Sequence, residues 1–194
     1  MTLVFRRTGQ RRYAVEALRS GFPDVVFDPA PGYDRHMPHD MMHLVVEARL
    51  GLSLGIFGQL AAGGNAGTFQ LSERNNQHSR ETKRNRKRSK TRGKRLLKRG
   101  RDECLVSERA TYICWQEWLS RSSSRELSKL AKEMAQQAKE VRNTALPTEL
   151  RSLNKSKLDD ICKHLDELSS HWFALDVGQS VAVSWPDLAV VNSG

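Results

Sequence analysis

Residues 38–50 read PHDMMHLVVEARL, and how this stretch folds determines what must surround it. At about 100° per residue, with His39 as zero, His43 falls at roughly 40°, Glu47 at roughly 80° and Asp40 at roughly 100°, with Leu50 at roughly 20° inside the same arc. Met41, Met42, Leu44, Val45, Val46 and Ala48 spread over the remaining side, with Arg49 the one charge among them. An apolar arc this wide fits a helix that is mostly buried. Pro38 suits the first helical position, where its missing N–H costs nothing. Asp40 in the first turn meets the positive end of the helix dipole.

Two His four residues apart stand one turn apart, so both imidazoles can reach one ion. The same spacing underlies the zinc-binding HExxH helix. Here Asp40 stands in the place of that Glu. The side-chain types call for a divalent metal, Zn, Fe or Mn, with His39 and His43 as ligands and Glu47 as the third. His36, just ahead of the helix, could fold back as another. Asp40 would then orient a His or act as a base in hydrolase-like chemistry. The alternative is a polar helix face turned to water. Buried His and carboxylates need partners, and a metal is one.

Outward from this helix, residues 2–29 read as a β-meander. Leu3-Val4-Phe5 is a strand, Thr8-Gly9-Gln10 a turn, and Tyr13–Ala17 the returning strand. Gly21-Phe22-Pro23 breaks the chain and Val25-Val26-Phe27 forms a third strand. The loop from Asp28 to Asp34 is stiffened by Pro29 and Pro31, which helps aim His36 and His39. Gly51 ends the His helix. A second apolar helix follows over 52–62, then the turn Gly63-Gly64-Asn65-Ala66-Gly67. That turn lacks the Lys-Ser/Thr of a phosphate loop and follows a helix, so it reads as a connection.

The 194-residue chain has 32 Lys and Arg, 22 Asp and Glu, and a formal net charge of +10. The excess lies in one place. Arg80 to Arg101 holds thirteen cations and one Glu, a net of +12, which leaves −2 for everything else. Segment 72–101 has no apolar periodicity before Leu96 and reads as a disordered insert or exposed arm. Lys83, Arg84, Arg86, Lys87, Arg88, Lys90, Arg92, Lys94 and Arg95 would give it nonspecific affinity for nucleic acid or another polyanion. With no aromatic to stack on bases, it would not read sequence. The alternative reading of the protein is therefore a non-enzymatic interaction module acting through this arm.

Beyond the arm, 105–119 reads as a helix with Tyr112, Trp115 and Trp118, and Arg125 to Arg142 as a second. Ser156 caps a third, whose stripe is Leu158, Ile161, Cys162, Leu165, Leu168 and Trp172. The second and third are expected to pack as a hairpin. Val181 to Trp185 reads as a closing strand. His164 and His171, seven residues apart on the third helix, could offer a distant ligand but more often mark surface. Cys104, Cys114 and Cys162 have no CxxC spacing and read as reduced, cytoplasmic thiols. The N-terminus MTLVFRRTGQRR lacks the pattern of a signal peptide. The most apolar stretch, Leu50 to Ala62, is too short to span a membrane.

The segments RRTGQRRYAV, DPAPGYD, MPHDMMHLVVEARLGLSLGIFGQLAAGGNAGTF and HWFALDVGQSVAVSWP resemble a family of uncharacterised bacterial proteins with a PHDxxHxxxE motif. The likeness covers residues 1–70 and 155–186 and implies a small cytoplasmic protein. His39, Asp40 and His43 are also similar to the HDxxH metal motif of a group of ubiquinone-biosynthesis proteins. That group's Glu would fall at Gly55 here, with Glu47 the nearest carboxylate. The whole reads as an α+β protein. Residues 1–70 hold the N-terminal β-meander and a buried helix pair, 71–103 a basic disordered arm or insert, and 104–194 a C-terminal helical hairpin with a short closing strand.

Overall fold

The computed structural model describes residues 1–72 and 80–191, without the side chains of residues 80–83, 85 and 86. The fold is α+β: one antiparallel sheet with a layer of helices on one face. Strands β1 (Thr2–Gly9), β2 (Arg12–Leu18) and β3 (Val25–Ala30) form the expected meander. Gln10 and Arg11 make the two-residue connection between β1 and β2. The helices α1 (His39–Leu50) and α2 (Ile56–Ala61) come next. After them come β4 (Gln70–Leu71), α3 (Arg80–Arg99), α4 (Arg101–Arg121), α5 (Arg125–Thr144), α6 (Pro147–Ser152), α7 (Lys155–Phe173), β5 (Ser180–Ser184) and β6 (Val190–Val191).

The strand order is β4-β3-β2-β1-β5-β6. The closing strand β5 therefore pairs with β1, which lies at the other end of the chain, in the register Leu3↔Val183 and Phe5↔Val181. On the other side of β1 the register is Leu3↔Ala17 and Phe5↔Val15. Period-two alternation puts Leu3, Phe5, Val15, Ala17, Val181 and Val183 on one face, where all are buried.

Helix α1 lies in the middle of the helical layer, against α2, α4 and α7. Eight consecutive residues, Asp40 to Glu47, are buried. Gly51 closes α1 in the left-handed conformation at φ 68°, with its N–H donating to Ala48. Trp172 of α7 is fully buried, and its ring meets that of Tyr13 edge-on at 5.9 Å, which ties the helical layer to the sheet.

Three expectations are corrected. The first concerns the basic segment. Over Arg80–Arg99 it is helix, with no break before α4 beyond Gly100. Ser89, Gly93, Leu96 and Gly100 recur at helical spacing and are buried. Leu96 rests on the glycine-rich turn, where a Cβ on Gly64 would come within 2.9 Å of it. Small residues on both sides permit this close seating, and one apolar residue anchors it. The pattern is too sparse to register as amphipathic. Residues 73–79 of the expected arm lie outside the described residues.

The second correction is which helices form the hairpin: α4 and α5 pack on each other, rather than α5 and α7. The helix α7 packs on α1 and α4. Leu127, Ala131, Met134 and Ala138 of α5 are buried. The third is the second apolar helix, which begins at Ile56 instead of residue 52. Two carboxylates pull the preceding residues into a turn: Glu103 accepts from the N–H of Leu54 at 2.7 Å, and Glu47 from that of Ile56 at 2.8 Å.

Candidate metal centre

Helix α1 presents His39 and His43 to helix α4. The two rings meet edge-on with centroids 4.5 Å apart. Glu108 of α4 completes the group. One ligand atom from each of His39, His43 and Glu108 lies within 4.8 Å of the other two. Nε2 of His43 is 3.7 Å from Oε2 of Glu108. His43 is 1 % exposed, while the Glu108 side chain is about half exposed. The group is thus walled on one side by buried imidazole and open on the other through the carboxylate. Two nitrogens and one oxygen with an open side is a donor set that zinc, iron and manganese accept.

The buried wall fixes the chemistry of His43. Ser107 Oγ is 2.8 Å from His43 Nδ1 and donates to Oε1 of Glu47 at 2.9 Å. With its single proton directed to Glu47, the serine oxygen accepts from Nδ1–H. Nδ1 therefore carries the proton and Nε2 carries the bare lone pair. Thr111 Oγ1, 3.3 Å from Nδ1, closes the same side. Nε2 is buried, faces Glu108, and has no hydrogen-bond partner among the described residues. A buried nitrogen left in this state is costly unless something coordinates it. Burial, and secondarily the neighbouring His39, push the His43 pKa down to about 3, so the imidazole stays neutral, the form a metal requires.

Glu47, expected as the third ligand, sits elsewhere. Its Oε1 accepts from Ile56 N–H and Ser107, and its Oε2 from Phe57 N–H at 2.9 Å. The carboxylate is fully buried, and that burial raises its pKa to about 7 against the opposing pull of the two N–H groups and the serine. It belongs to a chain Glu47–Ser107–His43 that holds the imidazole from behind. Gly55 makes room for it: a Cβ there would lie 2.5 Å from Cδ of Glu47. The position that would hold a Glu in the HDxxH pattern is thus pressed against the carboxylate this chain already has.

His36 is also placed apart. Its ring stacks on Phe173 at 5.4 Å, and its Nε2 lies 3.7 Å from Glu126. His164 is held by Asp160, Nδ1 standing 2.8 Å from its carbonyl, and His171 is exposed. Asp40 does lie beside the group. It is 7 % exposed and accepts a hydrogen bond from Tyr13 Oη. Burial raises its pKa, while the Tyr13 hydrogen bond and the nearby His39 oppose the rise, and Glu108 adds to it. Tyr13 shifts up as well, by burial first and then by the Asp40 charge.

No protein-family model, curated protein or solved structure matches this chain.

Among the described residues, His39, His43 and Glu108 are the one group of three such side chains close enough to share an ion. Sequence reasoning missed Glu108. A signal was present in Ser107 and Thr111, which share a helix side with Cys114 and Trp118. Polar residues on an apolar stripe mark a face that meets a polar partner. All three cysteines are free, Cys114 and Cys162 buried and Cys104 half-buried. None belongs to the group. Of the cations expected to touch nucleic acid, Arg84, Lys87, Arg88, Lys90, Lys94 and Arg95 are exposed on α3 and Arg92 is half-buried; the side chains of Lys83 and Arg86 lie outside the described residues. Among the described residues, no helix is long and apolar enough to cross a membrane.

Proposed function

We propose that the protein holds one divalent transition metal, Zn, Fe or Mn, on His39, His43 and Glu108, and that the site performs hydrolase-like chemistry. The observation that carries this is the Nε2 of His43: neutral, buried, without a hydrogen-bond partner among the described residues, in a group with two further residues that each offer a ligand atom. A bound ion would polarise a substrate carbonyl or phosphoryl oxygen and acidify water. The protein's own groups do the rest. Glu47 and Ser107 hold the His43 ring in one tautomer and one orientation. Asp40, its pKa raised and its carboxyl held by Tyr13, gives or takes a proton beside the group. The half-exposed Glu108 marks the route by which substrate reaches it. The free thiols suit a reducing compartment such as the cytoplasm.

The test is metal analysis of protein purified without a metal-affinity tag. One equivalent is expected in the wild type, with nearly all of it lost in His43→Ala. Glu108→Ala guards against a loss caused by unfolding, because its side chain is half exposed and its removal leaves the core intact. That variant should fold normally and bind more weakly. Unchanged metal content in both variants would end the proposal.

A further inference from the structure

Helix α3 has two faces of opposite character. With Arg84 as zero and about 100° per residue, Lys87, Arg88, Thr91, Arg95 and Lys98 fall within roughly 60° of it, while Ser89, Gly93, Leu96 and Gly100 fall at roughly 120° to 180°. The second set is buried and seats the helix on the protein. Arg92, at the border, lays its guanidinium over the Phe22 ring at 4.6 Å. The first set is exposed. A shallow groove of about 630 Å³ runs among Arg84, Lys87, Arg88, Thr91, Arg92 and Arg95. Among the described residues, no carboxylate pairs with any cation of this outer face.

Unpaired cations held in a row on a seated helix repel one another, and an external anion relieves that repulsion. The anion must be extended, since the row from Arg84 to Lys98 covers about 21 Å at 1.5 Å per residue. We propose that the outward face of α3 grips the phosphate backbone of duplex nucleic acid without reading its sequence. A single strand fits less well, because α3 carries no aromatic side chain on which bases could stack. A membrane surface also fits less well. An interfacial helix buries a broad apolar face, whereas Leu97 is the sole large apolar residue exposed on α3 among the described residues. Because the helix is already folded and anchored, binding does not incur the cost of ordering a loose arm. The proposal is independent of the metal site.

About five phosphate contacts give a slope of log affinity against log salt of about −4.5, so that affinity falls about 500-fold between 50 and 200 mM salt. The experiment is fluorescence anisotropy of the full chain with a short labelled duplex of mixed sequence, as DNA and as RNA, across that salt range. The same titration uses the matching single strand and vesicles rich in phosphatidylserine. The variant Lys87→Gln/Arg88→Gln/Arg95→Gln is compared with Lys132→Gln/Lys139→Gln/Lys163→Gln, which removes the same charge from exposed positions on α5 and α7. The first should reduce the steepness of the salt slope by about 3, and the second should leave it unchanged. Equal losses in the two variants would reduce the effect to net charge and overturn the proposal. So would tighter binding to single strand than to duplex, binding to the vesicles alone, or no binding at 50 mM salt.

Discussion

Gly55→Ala isolates the contact that holds the metal centre from behind. The backbone at Gly55 has φ −63° and ψ −173°, which any L-residue adopts, so the substitution introduces no backbone strain. Its cost is steric and falls on one group. The new methyl would lie 2.5 Å from Cδ of Glu47 and 2.6 and 2.7 Å from its two oxygens. The carboxylate must move away from the N–H groups of Ile56 and Phe57 and from Ser107. Overpacking a core costs about 1–3 kcal/mol, and a hydrogen bond to a charged group contributes about 1.5–3 kcal/mol. Losing one of the three bonds on top of the strain puts the cost at about 3–6 kcal/mol. A domain near the middle of the usual range of about 5–15 kcal/mol remains mostly folded after this loss. Urea unfolding followed by circular dichroism should show a lower midpoint with an unchanged slope. In a Glu47→Ala background the methyl enters space the carboxylate has left, and the added cost of Gly55→Ala should fall below about 1 kcal/mol, a strong coupling in the double-mutant cycle. Costs that add within about 0.5 kcal/mol, or a single substitution that costs almost nothing, would show that Glu47 does not occupy this place.

Other expectations can be checked separately. The pKa of Glu47 is raised from an ordinary 4.5 to about 7, so the folded state holds this proton more tightly than the unfolded one. Its contribution to the stability of metal-free protein is greatest below about pH 4.5 and falls as pH rises to about 7, by about 3 kcal/mol in all. Urea midpoints across that range, taken as a difference from Glu47→Gln, should trace this fall, and a flat difference would contradict it. Ser107→Ala breaks the link that fixes the His43 tautomer. It should weaken metal binding by about 10- to 100-fold in competition with a chelator, and unaltered affinity would remove the serine from the site. Leu96→Ala removes the apolar anchor of α3, at a cost of about 2–5 kcal/mol. Amide exchange should accelerate along α3 while α1 stays protected; equal acceleration in both would mean that α3 is not held separately through Leu96.

Local pattern carried the reading of the sheet and of most helices. The alternation in β1 and β2 and the stripe Ile161, Cys162, Leu165, Leu168 and Trp172 in α7 are short-range consequences of strand and helix periods, and each buries the residues its pattern marks. The one-turn spacing of His39 and His43 is equally local, and the two rings do meet.

What the sequence by itself determined is therefore what is set within a few residues: strands β1, β2, β3 and β5, most of the long helices with their buried stripes, and the paired imidazoles. The tertiary structure alone decided three further matters. The last long strand pairs with the first, α3 is ordered by seating on a glycine turn, and Glu108 rather than Glu47 stands beside the histidines. Each depends on which surfaces meet. Glu47 lies on the same helix as the histidines and looked available, but the buried N–H groups of Ile56 and Phe57 hold its carboxylate. Glu108 is one of four acids on α4, singled out only when α4 packs across α1, and no spacing along the chain records that contact.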